Sequence, residues 1–133
     1  MASSNAESTL RKVLLANSEF SVLTGLASLI FGGRIADFLE VEQAWLIRLI
    51  GAGLLGFAVA VFVIARSKRP VLDEWSLQVS YGDLGWVIAT VPVIALGWLS
   101  TEGAVVMAAI AVVVLALGIG QLRSRRAMLA TAV

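Results

Sequence analysis

An all-α membrane protein, with four transmembrane helices in an up-down bundle and both termini in the cytoplasm, is the fold class that three features of this sequence predict. The first is composition: 133 residues, 59% hydrophobic and only 14% charged, with a mean hydropathy of +0.94. So little charged surface does not cover a water-soluble chain of this size, and lipid must be part of its solvent. The second is four continuous apolar stretches, each near the ~20 residues that a helix needs to cross ~30 Å of hydrocarbon. The third is the clustering of Lys and Arg at alternate span ends.

The elements follow in order. Residues 1–12 read as a cytoplasmic N-terminal tail with no periodicity, ending on Arg11-Lys12. Span one covers about Val13–Phe31 and stops at Gly32-Gly33, a glycine pair that favours a turn. Span two covers about Ala44–Ala65 and ends on the basic, proline-terminated Arg66-Ser67-Lys68-Arg69-Pro70. Span three covers about Trp75–Leu99; Pro92 removes a backbone donor there, so a kink near Val91 is expected, with a freed carbonyl for Thr90 or water to satisfy. Ser100-Thr101-Glu102-Gly103 turns the chain into span four, about Gly103–Leu122, and residues 123–133 form a basic cytoplasmic tail. Continuous rather than alternating apolar runs, joined by short loops, favour helices over a transmembrane barrel.

Orientation comes from the basic residues at the span ends. Arg11, Lys12, Arg66, Lys68, Arg69, Arg123, Arg125 and Arg126 all fall on one side, where Lys and Arg are retained in the cytoplasm. The other side holds Arg34 with Asp37, Glu40, Glu42 and Glu102. Trp45 and Trp98 near the outer boundary and Trp75 near the inner one suit the interfaces. A cleaved signal peptide is the rival for span one, but Asn17, Ser18 and Glu19 interrupt its apolar run, so a retained helix is expected. A bacterial inner membrane is the expected location.

The chain has no cysteine and no histidine, which excludes disulfides, thiolate or imidazole metal sites and His-based acid–base chemistry within it. No cofactor, bound metal or nucleic-acid partner is expected. The polar residues inside the spans are therefore the candidates. Glu19 lies seven residues beyond Lys12 and Asp83 eight beyond Trp75, so both sink by about 10–12 Å. A carboxyl at that depth costs ~3 kcal/mol or more on insertion scales and marks a functional site by default, unless it is a neutral hydrogen-bonding group that only joins helices.

Helical phase separates the two acids. Ser76, Ser80, Asp83 and Thr90 share one stripe of span three, which turns Asp83 toward the interior. On span one the polar stripe is Asn17, Ser21, Thr24 and Ser28, while Glu19 stands about 200° from Asn17 among Leu15, Leu23 and Leu26. Glu19 thus meets a second copy, a partner subunit, or a ligand entering from lipid. Tyr81 and Trp86 flank Asp83 and read either as the wall of an aromatic site for an organic cation or as ordinary packing. The candidate binding residues are accordingly Glu19, Asp83, Tyr81, Trp86 and Asn17, with Asp83 and Glu19 the catalytic candidates if there is catalysis.

Arg48, four residues into span two, is expected to anchor at the interface with Glu42 or Glu102 as partner. Ala52, Gly56 and Ala60, Gly85 and Ala89, and Ala104 and Ala108 repeat every four residues and are expected to mark helix–helix contacts. An offset of 64 residues aligns Glu19 with Asp83, which raises a duplicated hairpin as an alternative origin.

Size, four spans and the first-span carboxylate Glu19 resemble the small multidrug resistance exporters, which bind protons or cationic drugs through paired first-span glutamates. That resemblance extends to architecture and Glu19 alone, and the charged Asp83 in span three departs from it. Three function classes follow. The leading one is a non-enzymatic accessory subunit or homo-oligomer of a larger membrane complex, since no nucleotide loop, nucleophile–base pair or extramembrane domain is present. The second is a proton-coupled transporter of cationic or lipophilic solutes through Glu19, Asp83 or both. The third is an isomerase or cyclase type of membrane enzyme with Asp83 as general acid on a lipophilic small molecule.

Overall fold

The computed structural model describes residues 2–130 as five α-helices and, among these residues, no strand. They are α1 (Ala2–Ile30), α2 (Gly32–Leu39), α3 (Ala44–Arg66), α4 (Arg69–Ala95) and α5 (Thr101–Ala130). α1, α3, α4 and α5 are each long and apolar enough to cross a membrane. The chain is thus read as a multi-pass membrane protein.

The spans differ from expectation at their ends. α1 begins at Ala2 and α5 runs to Ala130, so residues 2–12 and 123–130 are helix rather than irregular tails; Met1 and 131–133 lie outside the described residues. Packing accounts for this extension. Leu10, Leu14, Leu72 and Met128 are fully buried and form one apolar cluster with Val61, Ile64, Ala65 and Val79. The Arg11 guanidinium donates to the Ala65 and Ser67 carbonyls (both 2.8 Å), covering the last turn of α3, and pairs with Glu7 at 2.9 Å.

α2, unforeseen in the sequence, lies between spans one and two. Its break from α1 falls at Phe31, and Glu40 closes it in the left-handed region (φ 59°), with the Val41 N–H donating to the Ala36 carbonyl. Ala36 and Leu39 pack on Ile47 as a second apolar cluster. The α4–α5 turn ties into it. Ser100 Oγ accepts from the Gly103 N–H (3.0 Å), capping α5, and donates to the Phe38 carbonyl (2.6 Å), while its own N–H reaches the Leu39 carbonyl (3.1 Å).

α4 stops at Ala95, short of Leu99, because Gly97 takes φ 71° and reverses the chain. Pro92 sits inside α4, and the Thr90 hydroxyl donates to the Trp86 carbonyl (2.8 Å), not to the Ile88 carbonyl that proline leaves without a partner N–H. Arg48 is likewise reassigned. Its stem lies over Gly32, whose added Cβ would stand 2.7 Å from Arg48 Cγ, and among the described residues it pairs with neither Glu42 nor Glu102.

The small-residue rows face the other way from the one expected. Ala52, Gly56 and Ala60, Gly85 and Ala89, and Ala108 are exposed while Ala104 is half-buried, and an added Cβ at Gly53, Gly56 or Gly85 meets nothing within 4 Å. The close crossing is instead Gly25 against Gly51, where each added Cβ would stand 2.8–2.9 Å from the other residue's carbonyl oxygen. α1 therefore packs most extensively on α3, then α5; α4 packs on α5; the α3–α4 seam is the thinnest of these.

Candidate functional site

Asp83 is 4% exposed, at the level where α1, α4 and α5 meet. The hydroxyl stripe predicted on α4 does turn inward: Ser76, Ser80, Asp83 and Thr90 are all buried. Gly118 of α5 makes room for it, since a Cβ there would stand 3.3 Å from Asp83 Cβ. Asn17 of α1, 2% exposed, donates from Nδ2 to Asp83 Oδ2 (2.8 Å) and to Gln121 Oε1 (2.7 Å). Gln121 of α5, fully buried, donates from Nε2 to the same Asp83 Oδ2 (3.0 Å) and to Ser80 Oγ (3.1 Å). Ser21 Oγ approaches Asn17 Oδ1 at 3.5 Å, and Ser80 Oγ donates to the Ser76 carbonyl.

All four amide N–H groups of Asn17 and Gln121 are used, which fixes both side chains. Both amides converge on one carboxyl oxygen, and among the described residues Asp83 Oδ1 has no hydrogen-bond partner. Asp83 borders a cavity of about 170 Å³ lined also by Phe20, Thr24, Leu54, Phe57, Trp86 and Ile110, with Asn17 and Ser21 as its other polar residues. Phe20, Thr24, Leu54, Trp86 and Ile110 also line a larger cleft of about 470 Å³ that runs toward Phe38 and Leu39 of α2. Trp86 borders a third cleft as well, between α3 (Leu46, Ile50) and α4 (Ala89, Val93). Its indole N–H is buried and, among the described residues, has no hydrogen-bond partner.

The structure thus brings Asn17, Asp83 and Trp86 together and leaves Glu19 and Tyr81 elsewhere. Glu19 is exposed and, among the described residues, has no hydrogen bond or ion pair. Tyr81 is 56% exposed on the far side of α4 and does not face the cavity with Trp86. Glu19 and Asp83 therefore form no acid–base pair within one chain, and the 64-residue offset does not relate equivalent positions. Gln121 is the member that the sequence reading missed. It stands two residues before Arg123 and reads there as the edge of the span, although Gly118 three residues earlier puts a small residue and an amide on one face.

The site has the chemistry of an apolar pocket with one free carboxyl oxygen. Among the described residues no group of acidic side chains forms a metal site. No protein-family model, curated protein or solved structure matches this chain.

Proposed function

We propose that this is a four-span, up-down membrane protein with both termini cytoplasmic that holds an uncharged lipophilic molecule in the cleft beside Asp83, without catalysing its conversion. The observation that carries this reading is Asp83 itself: Oδ2 is held by two amides, Oδ1 has no partner among the described residues, and the residue lines an apolar cavity. A cavity of ~150 Å³ lined by apolar side chains takes a benzene ring, so this one suits one ring or a comparable head, with the adjoining cleft for a tail. 1-Naphthol, whose hydroxyl donates to Oδ1, and naphthalene, which lacks it, make the test. In detergent, corrected for empty micelles, naphthol should bind saturably and about fivefold tighter than naphthalene. Ile110→Trp, which fills the cavity, should abolish both. Equal affinities, or saturable binding that survives Ile110→Trp, would reject the reading.

Glu19 supports assembly with a second copy as part of the same function. An exposed carboxyl on a face with Ala16, Leu23 and Leu26 is costly in lipid and gains from a shared contact. The chain has no cysteine, so single cysteines report without background. Ala16→Cys and Leu23→Cys should cross-link to a dimer in membranes, and Val112→Cys on α5 should not. Equal yields at all three positions would remove the assembly reading.

A further inference from the structure

At the basic end of the molecule a groove of about 610 Å³ runs between α4 and α5, walled by Leu77, Leu122 and Leu129 and bordered by Tyr81, Arg125 and Arg126. The two helices are antiparallel, because Asp73, Ser80 and Asp83 on α4 meet Arg125, Gln121 and Gly118 on α5 in that order. Side chains lean toward the N-terminus of their own helix. Tyr81 therefore leans back toward the basic end, and the arginines lean toward the middle of the membrane, so ring and guanidinium close on one groove. Tyr81 is about 12 Å along α4 from Asp73 and lines the same groove as the two arginines.

The two arginines differ. Arg125 Nε donates to the Asp73 carbonyl (2.8 Å), and its terminal nitrogen lies 2.9 Å from Asp73 Oδ1 as an ion pair without hydrogen-bond alignment. Its charge is largely spent on α4, and it fixes the groove wall. Arg126 is exposed and, among the described residues, has no ion pair. Glu74, exposed on α4 one turn before Leu77, does not pair with it either. A cation without an ion pair among the described residues at the rim of an apolar groove, with a phenol further along the same groove, matches the headgroup and chain of one amphiphile.

We propose that the α4–α5 groove binds an anionic phospholipid, its phosphate on Arg126, its glycerol and ester region between Leu77 and the Tyr81 hydroxyl, and an acyl chain continuing inward past Leu122 and the Tyr81 ring. This site is separate from the Asp83 cleft and does not depend on what that cleft holds. It needs the amphiphile as a whole, because Leu77, Leu122 and Leu129 offer nothing to free phosphate.

Native mass spectrometry of the full-length protein in mild detergent tests it, with dioleoyl phosphatidylglycerol against dioleoyl phosphatidylcholine. One phosphatidylglycerol should be retained in preference to phosphatidylcholine. Arg126→Gln should lower that retention about fivefold, the effect of one cation at a membrane surface. Tyr81→Phe should lower it less, and Arg66→Gln, which removes an equal charge from its place over the Phe62 ring, should leave it unchanged. Equal retention of both lipids overturns the proposal, as does an equal loss in Arg66→Gln and Arg126→Gln, which would signal general charge attraction. Displacement of the lipid by inorganic phosphate overturns it too, since the site would then be one for the free anion.

Discussion

Gly51→Leu is expected to separate α1 from α3 and to give the largest loss of stability of any single substitution described for this chain. A Cβ at position 51 would stand 2.8 Å from the Gly25 carbonyl oxygen, 2.8 Å from Ser28 Cβ and 3.1 Å from the Leu29 nitrogen. Two of those neighbours are backbone and cannot rotate away, so the helices must move apart along their most extensive contact. Overpacking costs ~1–3 kcal/mol where side chains give way, and more where backbone must shift. Gly51→Ala should therefore cost about 2 kcal/mol and Gly51→Leu more than 3 kcal/mol. Gly53→Ala and Gly56→Ala, two and five residues along the same helix, meet nothing within 4 Å and should leave stability unchanged. Unfolding by SDS titration in mixed micelles measures all four. A Gly51→Leu protein with the wild-type midpoint would show that the crossing is not what holds α1 to α3.

Asp83→Leu should cost nearly as much, and Asp83→Asn little. Removing Oδ2 strands one N–H of Asn17 and one of Gln121 in a buried layer. A buried donor left unmade costs ~1–3 kcal/mol, while interhelical hydrogen bonds in membranes average ~0.6 kcal/mol. The first figure governs here because both amides are buried and their remaining N–H groups are already committed, which gives about 2–4 kcal/mol for Asp83→Leu. Asparagine offers one amide oxygen to the same two donors and should cost about 1 kcal/mol. Function separates further. If Asp83 serves by exchanging a proton, Asp83→Asn folds and fails, because an amide does not titrate. Thermal unfolding in detergent beside a growth or transport phenotype distinguishes the cases, and an Asn variant that both folds and works ends the claim that the carboxyl is a functional group rather than a joint.

Much of this architecture is legible in the sequence because lipid imposes strong rules. Length and apolarity give four helices, and a 100° turn per residue is enough to point Asp83 and Asn17 inward and Glu19 outward. The rest depends on distances that one helix does not record. Gln121 lies beside a run of arginines at the end of the apolar stretch, and only the continuation of α5 to the buried Met128 shows that this end of the helix is packed against the others. α2 is invisible for a similar reason: Gly32-Gly33 reads as a stop, whereas the chain resumes a helix at once and buries Ala36 and Leu39. The four-residue rows of Ala52, Gly56 and Ala60 misled because spacing identifies a face without saying what lies opposite it. Gly25 and Gly51, isolated glycines on different spans, form the actual crossing.

The thin seam between α3 and α4 has a bearing on how any occupant would be measured. The cleft there is lined by Leu46, Ile50, Ala89 and Val93 and, at its outer end, by Glu40, Glu42 and Gln43, so a lipophile dissolved in the bilayer reaches it past apolar side chains. The concentration that sets occupancy is then the mole fraction in the membrane. A lipophile scarce in the aqueous phase can fill the cleft with a weak intrinsic affinity, and an apparent dissociation constant quoted per litre of buffer will change with the amount of lipid in the tube while the protein stays the same.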